Sequence, residues 1–451
     1  MKKTNNITNF NINNRIITWL FVGILLMSGL LSFSAVFNAN IASHVNSNLA
    51  LSTTAVTVNN TWTYGSNAYD DGFAITQDSS GNIYLAGITK KTGQYDMLLI
   101  KVDSDGNELW NKTWDWGGTE FTNGVAVDST GNIYVTGFTD AGPGFSNMIL
   151  IKYNILGNKE WNTSIMTGKS SSGHKIAFDS LSMPYVVGTH DKDIVVCKFN
   201  MNGDYQWNIT WDGGSTDSGF DIYIDNNNDI YVVGSSKTGS GDRDVVFLRF
   251  AYPGYGLTHL ETWGGSDDDY GNSICSDGDY IYIGGGTWSY GPGGQDILLL
   301  KYTTGGSLEW YKTFGSATLN ESSNSIALSS NYIFLGGNAG LDLSLDDVLL
   351  FKTDKSSGTH LENNTWDSGS SVSDLSDGII FHSNGYVYMV LTADYSAPTY
   401  SEIILIKWDP GTLTTEPEIP GFRFEIILIG MIIILPVVLI LKRKTKYLNY
   451  N

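Results

Sequence analysis

The stretch 113–139, TWDWGGTEFTNGVAVDSTGNIYVTGFT, continues after a Gly/Pro-rich loop as NMILIKYNILGNKEWN at 147–162, and its reading decides the fold. Short runs rich in β-branched and aromatic residues (GVAVDS at 124–129, NIYVTGFT at 132–139, MILIK at 148–152) are separated by Gly, Asn and Asp. Runs of four to eight such residues between turn formers predict strands, not helices. The unit then repeats. A Thr-Trp or related step falls at Thr61, Thr113, Ser164, Thr210, Thr262, Thr313 and Thr365, at intervals of 52, 51, 46, 52, 51 and 52 residues. A steady period near fifty predicts an array of one supersecondary unit.

Four strand signals fill each unit. The first is apolar and ends in Asp or Ser, as in GFAITQD (72–78) and FDIYID (220–225). The second follows a Gly-Asn or similar turn, as in NIYLAGIT (82–89) and DIYVVGSS (229–236). The third is MLLIK (97–101), with counterparts through IILIK (403–407), and the fourth carries the tryptophan, as in ELWNKTW (108–114). Seven first-second-third triplets lie between residues 72 and 407, but the last has no fourth strand, while a surplus one, VTVNNTW, stands at 56–62. Pairing the surplus strand with the last triplet gives seven complete blades and no half-built edge. The expectation is an all-β, seven-bladed β-propeller over residues 56–408, closed by its N-terminal strand.

The Asp-x-x-Gly-Asn-Ile-Tyr-Val step at Asp128 to Val135 and the Gly-x-x-x-Trp turn at Gly157 to Trp161 resemble the SBBP-type seven-bladed propeller repeat family. The third repeat departs from it, with Met183-Pro184 in place of Gly-Asn and a short loop at Thr189 to Lys192. The resemblance implies a surface scaffold or binding role, without one chemistry.

The ends have a different character. Lys2, Lys3 and Arg15 precede an uncharged run, Ile16 to Phe37, so residues 1–37 are expected to be a signal peptide or N-terminal membrane anchor. Residues 38–55 read as a flexible linker and 409–423 as a Thr/Pro/Glu linker. Residues 424–441 are apolar apart from Glu425 and are followed by Lys442, Arg443, Lys444 and Lys446. This pattern predicts a transmembrane helix with a basic cytoplasmic tail, 442–451, and a propeller on the extracellular side. The order Pro420-Gly421-Phe422, apolar span, basic cluster resembles the C-terminal sorting signals of archaeal surface proteins that archaeosortases process, which implies removal of the span and lipid anchoring.

Composition narrows the partners. Of 451 residues only 16% are charged, and the net charge is −20, so nucleic acid phosphates would be repelled. Cys197 and Cys275 stand two repeats apart and are expected to be unpaired core residues. Acid and base recur five residues apart in Asp96/Lys101, Asn147/Lys152, Asp193/Lys198, Asp244/Arg249, Asp296/Lys301, Asp347/Lys352 and Glu402/Lys407. In a strand, an odd offset puts such a pair on opposite faces. Recurrence in every unit predicts a structural task, capping turns or bridging to a neighbouring blade. The acidic turns Asp103 to Glu108, Asp225 to Asp229 and Asp267 to Asp269 lack the spread of oxygens a calcium loop needs and are expected to be tight turns.

Two sets of loops, fourth-to-first strand and second-to-third strand, should share one face of the ring. They carry Trp116, Phe121, Tyr270, Trp288, Tyr290, Tyr395 and Tyr400, aromatic platforms of the kind that bind sugars or proteins. Sequons place candidate glycosylation sites at Asn59, Asn111, Asn162, Asn208 and Asn363 on fourth strands, and at Asn320 in a loop. The six histidines are scattered, with His174 and His190 the best pair, so neither a cofactor nor a metal site is expected. Asp103 to Trp110 looks like the blade turn of quinoprotein dehydrogenases, but the adjacent cysteines over their cofactor are absent, as are sialidase-type Asp boxes. The preferred expectation is a membrane-anchored, non-enzymatic surface propeller that binds glycans or cell-envelope proteins. The alternative is an extracellular propeller enzyme acting on polysaccharide.

Overall fold

In each repeat the second and third runs are apolar on both faces, so they can be stable only when both faces are covered. The computed structural model describes residues 56–411 apart from 66–68, 91–92, 141–144, 166–167, 238–240, 341–346, 369–373 and 397–398. In it twenty-eight strands form seven antiparallel sheets of four. Blades 1 to 6 run Asp70–Trp114, Glu120–Ile165, Ser171–Trp211, Thr216–Trp263, Asp269–Phe314 and Asn320–Trp366. Blade 7 joins Asp374–Asp409 to the closing strand Thr57–Tyr64, as the surplus strand predicted. The last strand takes in Asp409, the first residue of the expected second linker; beyond Gly411 that linker, with the expected signal or anchor, first linker, span and tail, lies outside the described residues. Among the described residues no helix is long and apolar enough to cross a membrane.

Burial follows position within the blade. The second and third strands of blade 1, Ile83–Thr89 and Asp96–Val102, are buried at every residue, whereas the outer strand Glu108–Trp114 alternates. The buried side chains pack between neighbouring blades. Leu85, Leu98 and Ile100 of blade 1 meet Val390, Ile403 and Leu405 of blade 7, so the core itself crosses the closure. Each such side chain contributes about 1.5–3 kcal/mol of burial.

The closing strand departs from the ruler. Trp114 pairs with Met97 in blade 1, but Tyr64, not Trp62, pairs with the equivalent Ile403 in blade 7. A slip of two residues keeps every side chain on its face, because the strand period is two. Trp62 instead lies over Gly106 of blade 1. That contact belongs to a series: Trp110 lies over Gly157, Trp161 over Gly203, His259 over Gly306 and Trp310 over Gly358, always on the next blade. The shortened third repeat turns between its second and third strands through Asp191 and Lys192, both at positive φ (51° and 79°).

Candidate binding face and axial channel

Hairpin pairing sorts the connections to two faces. Asp70, Thr89, Asp96 and Trp114 of blade 1 lie at one end of their strands, with the longer loops; the tight turns lie at the other. The two loop sets do share a face, as the hydrogen bonds Lys90 N to Tyr69 O (2.9 Å), Asp140 N to Thr119 O (2.8 Å) and Trp288 N to Asp268 O (3.0 Å) link them.

On the turn face the Asp-x-x-Gly-Asn-Ile-Tyr step becomes one polar cluster. Asp78 Oδ1 accepts from the Ser80 and Asn82 amides, both at 2.9 Å, and Oδ2 accepts from Asn82 Nδ2 at 2.8 Å and from the Tyr84 hydroxyl at 3.0 Å. Lys101 Nζ lies 3.6 Å from the same carboxylate and 5.0 Å from the centre of the Tyr84 ring. Burial pushes the Asp78 carboxyl up, but these donors outweigh it and hold it below its usual range. Lys198 with Asp179 repeats the arrangement at 3.0 Å, whereas Arg249 reaches Asp229, which holds the Asn82 position of its turn, at 2.6 Å. The basic member of each five-apart pair therefore binds the turn of its own blade, not a neighbour, in these three blades. Asp103 and Asp225 form tight turns as expected, each accepting two backbone amides through Oδ1. The Asp267 to Asp269 segment is different, because Asp269 opens the inner strand of blade 5 and its Oδ2 accepts the Gly265 amide at 2.9 Å.

The predicted aromatic residues form several separate clusters. Tyr290 joins Trp263 and Tyr311 at centroid separations of 5.0 and 6.3 Å, and Trp263 and Tyr311 are 5.3 Å apart. Trp288 and Tyr290 are 44% and 40% exposed, and Tyr311 is 47% exposed. Trp116, 49% exposed, packs edge-on against Trp114 at 5.1 Å. Phe121 and Tyr270, expected in loops, belong to inner strands, and Tyr395 and Tyr400 to the last hairpin, because those strands run further toward the loop face. Phe121 stacks on Phe138 at 5.0 Å, Tyr395 on Tyr400 at 4.9 Å, and the Tyr270 hydroxyl donates to Asp268 at 2.9 Å. Among the sequons, Asn59, Asn111, Asn208 and Asn363 are exposed on outer strands and Asn162 is half-buried. Asn320 lies on an inner strand, not in a loop, and its Oδ1 accepts the Gln295 amide at 3.1 Å.

The seven inner strands follow one another around the axis, the last against the first. Each carries a β-bulge, at Phe73, Asn123, His174, Phe220, Asn272, Asn324 or Asp377. A bulge re-aims its side chain, and four of them latch onto the next blade. Asn123, Asn272 and Asn324 donate to Gly173, Ser323 and Ser376 carbonyls at 2.9, 2.9 and 2.8 Å. His174 Nδ1 meets the Gly219 carbonyl at 2.6 Å; burial lowers its pKa, so the neutral ring donates. His174 is thus part of the latch rather than half of a metal pair with His190. Asp377 occupies the same position in blade 7. Its carboxyl is pushed up to about 7 by burial, with Lys175 opposing and Asp71 adding to the rise. Asp221 is also raised by burial, and it accepts the Ile222 and Ile274 amides at 2.8 and 3.0 Å.

Sequence reasoning missed a further set on the loop face. The inner strands of six blades open with an acid, Asp70, Glu120, Asp217, Asp269, Glu321 or Asp374, all buried. Each faces an acid near the loop-face end of the third strand of the preceding blade. Burial first, then the partner's charge, raises Asp244 beside Asp269 and Glu402 beside Asp70, and Asp296 contributes to the rise of Glu321. The signal was present as an acid recurring just before six of the first strands, but the partners lie on different blades, Asp96 and Glu120 already 24 residues apart and Glu402 and Asp70 at opposite ends of the ring's sequence.

Residues 117–144 match the SBBP beta-propeller repeat model. No curated protein matches the chain. The fold is similar to that of Kuenenia stuttgartiensis hydrazine synthase (12% identity, TM-score 0.53, covering 76% of this chain and 97% of that one). It is also similar to the Neurospora crassa Pan2 WD40 domain (9% identity, TM-score 0.52, covering 80% of this chain and 97% of that one). At such identities the likeness is one of fold. The chain thus carries the SBBP repeat and folds as a seven-bladed propeller.

Proposed function

We propose that this chain is a non-enzymatic propeller held at the cell membrane, with its ring outside, whose loop face binds glycans or proteins of the cell envelope. The observation that carries the reading is the cluster of exposed Tyr290 and Tyr311 with Trp263 on the loop face, with Trp288 exposed two residues before Tyr290 in the same loop. A rigid ring presenting aromatic planes beside carboxylates and amides supplies the apolar platform and directional hydrogen bonds that sugars require. Membrane attachment rests on the apolar runs Ile16–Phe37 and Phe424–Leu441 and the basic cluster after the second. The resemblance of Pro420 to Phe422 and its context to an archaeal surface sorting signal supports the same location. Exposed outer-strand sequons at Asn59, Asn111, Asn208 and Asn363 fit N-glycosylation, which would also shield the blade edges.

Asp377 and Asp221, raised carboxyls on the axis, favour a second reading, an extracellular enzyme acting on polysaccharide. One experiment separates the two. The full-length chain, purified in detergent, is screened on a glycan array, and bound glycans are incubated with it and followed by mass spectrometry. Binding without cleavage, reduced at least roughly tenfold by Trp288→Ala with Tyr290→Ala, is the expected result. Cleavage lost in Asp377→Asn establishes the second reading. Binding indifferent to the aromatic pair overturns the assignment of this site.

A further inference from the structure

Two of the blade junctions gather a third carboxylate. Where blade 1 meets blade 2, Asp96 and Glu120 are joined by Asp115; where blade 3 meets blade 4, Asp193 and Asp217 are joined by Asp212. In each trio one oxygen per residue lies within 4.8 Å of the other two. Oxygens that ligate calcium stand 2.3–2.6 Å from the ion, so two across one ion are at most about 5 Å apart. The trios therefore have the span of a shared cation.

The cluster alone would not identify a ligand; the state of its deepest oxygens does. Glu120 and Asp217 are both 0% exposed. Each has one oxygen with a donor: Thr139 Oγ1 donates to Glu120 Oε1 at 3.1 Å, with the Trp116 and Gly118 amides also directed at this carboxylate, and the Gly213 amide donates to Asp217 Oδ2 at 2.6 Å. The other oxygens, Glu120 Oε2 and Asp217 Oδ1, are buried with no hydrogen-bond donor. A buried, donorless carboxylate oxygen is costly. Among the described ion pairs, no lysine or arginine reaches either residue. Asp115 and Asp212 are exposed, which leaves a route from solvent. Donors that are all carboxylate oxygens, without His or Cys, select a hard cation over zinc or copper.

We propose that the Asp96/Asp115/Glu120 and Asp193/Asp212/Asp217 clusters each bind one calcium-class divalent cation, pinning blade 1 to blade 2 and blade 3 to blade 4. Shared protonation is the competing account of the same geometry, and it requires no metal.

The test uses the full-length chain in detergent, stripped with chelator, with calcium chloride alone as the probe. Calorimetric titration gives the number of ions bound, and thermal unfolding gives the response. The wild type is expected to gain roughly 5 °C in Tm at saturating calcium. In the variant Glu120→Gln with Asp217→Asn, the amide keeps the satisfied acceptor and removes one charge from each trio. Its stoichiometry should fall by two and its calcium response should disappear, while its chelator-stripped Tm equals or exceeds that of the wild type because like-charge repulsion is relieved. A wild type indifferent to calcium overturns the proposal. So does an unchanged stoichiometry in the variant, or a variant destabilised equally with and without calcium, since that would make the acids purely structural acceptors.

Discussion

Changing Gly203 to Ala tests whether the outer contacts between blades bear weight. Gly203 turns the third strand of blade 3 into its outer strand at φ +85°, beneath the indole of Trp161 from blade 2. An added Cβ would lie 2.6 Å from Trp161 Cε3 and 2.7 Å from Cδ2, closer than real contacts allow. The left-handed backbone costs a residue with a Cβ about 1–2 kcal/mol. Displacing the indole, whose Nε1 donates to Met201 O at 3.1 Å, adds roughly 1–3 kcal/mol by overpacking. Gly203→Ala should therefore cost about 2–5 kcal/mol. In a Trp161→Ala background only the backbone cost of about 1–2 kcal/mol should remain. Urea unfolding of the four proteins of the double-mutant cycle, with midpoints compared at constant m, measures the coupling. The expected coupling is about 1–3 kcal/mol. A coupling below about 0.5 kcal/mol, within ordinary additivity, would show that the glycine serves its turn alone and that the indole does not hold adjacent blades.

Two further outcomes concern the axis. Because the folded-state pKa of Asp377 lies near 7, above that of an unfolded aspartate, its contribution is largest at low pH and is lost as pH rises from about 4 through 7. Asp377 is half-buried, so the full shift is discounted to roughly 2 kcal/mol; Tm measured from pH 5 to 8 should decline less steeply in Asp377→Asn, and an unchanged slope would place the proton elsewhere, with Lys175 and Asp71 the charges facing it. Asn324→Ala removes the 2.8 Å latch to Ser376 and should cost about 1–2 kcal/mol by chemical denaturation, whereas a neutral result would mean water replaces the amide fully.

Much of the ring could be read from the chain. The period near fifty, four strand signals per unit and one surplus strand at 56–62 led directly to seven blades and their closure. The local chemistry of a single turn, such as Asp78 with Asn82 and Tyr84, was also legible, because those residues lie within seven positions of one another. What escaped depends on superposing different blades. The bulge at His174, the slip that puts Tyr64 rather than Trp62 opposite Ile403, and the meeting of Asp96 with Glu120 leave no periodic trace within one strand. Phe121 and Tyr270 looked like loop residues because turn formers surround them, yet pairing with the neighbouring strand extends past those turns.

The pairing of Thr57 with Asp409 has a mechanical consequence. Both chain ends leave the seventh blade side by side, on the turn face, and both are clipped to blade 6. The Val56 amide donates to Glu362 and Asn364 donates to the Val56 carbonyl, while Lys352 donates to the Pro410 carbonyl. Force that drew the two ends apart would open the Thr57–Tyr64 strand like a zipper, one hydrogen bond at a time, instead of shearing all of them together. Under the anchoring proposed above, a load on the loop face would be drawn out at the turn face, where Thr57 and Asp409 lie side by side, and would not peel the closing strand from its partner.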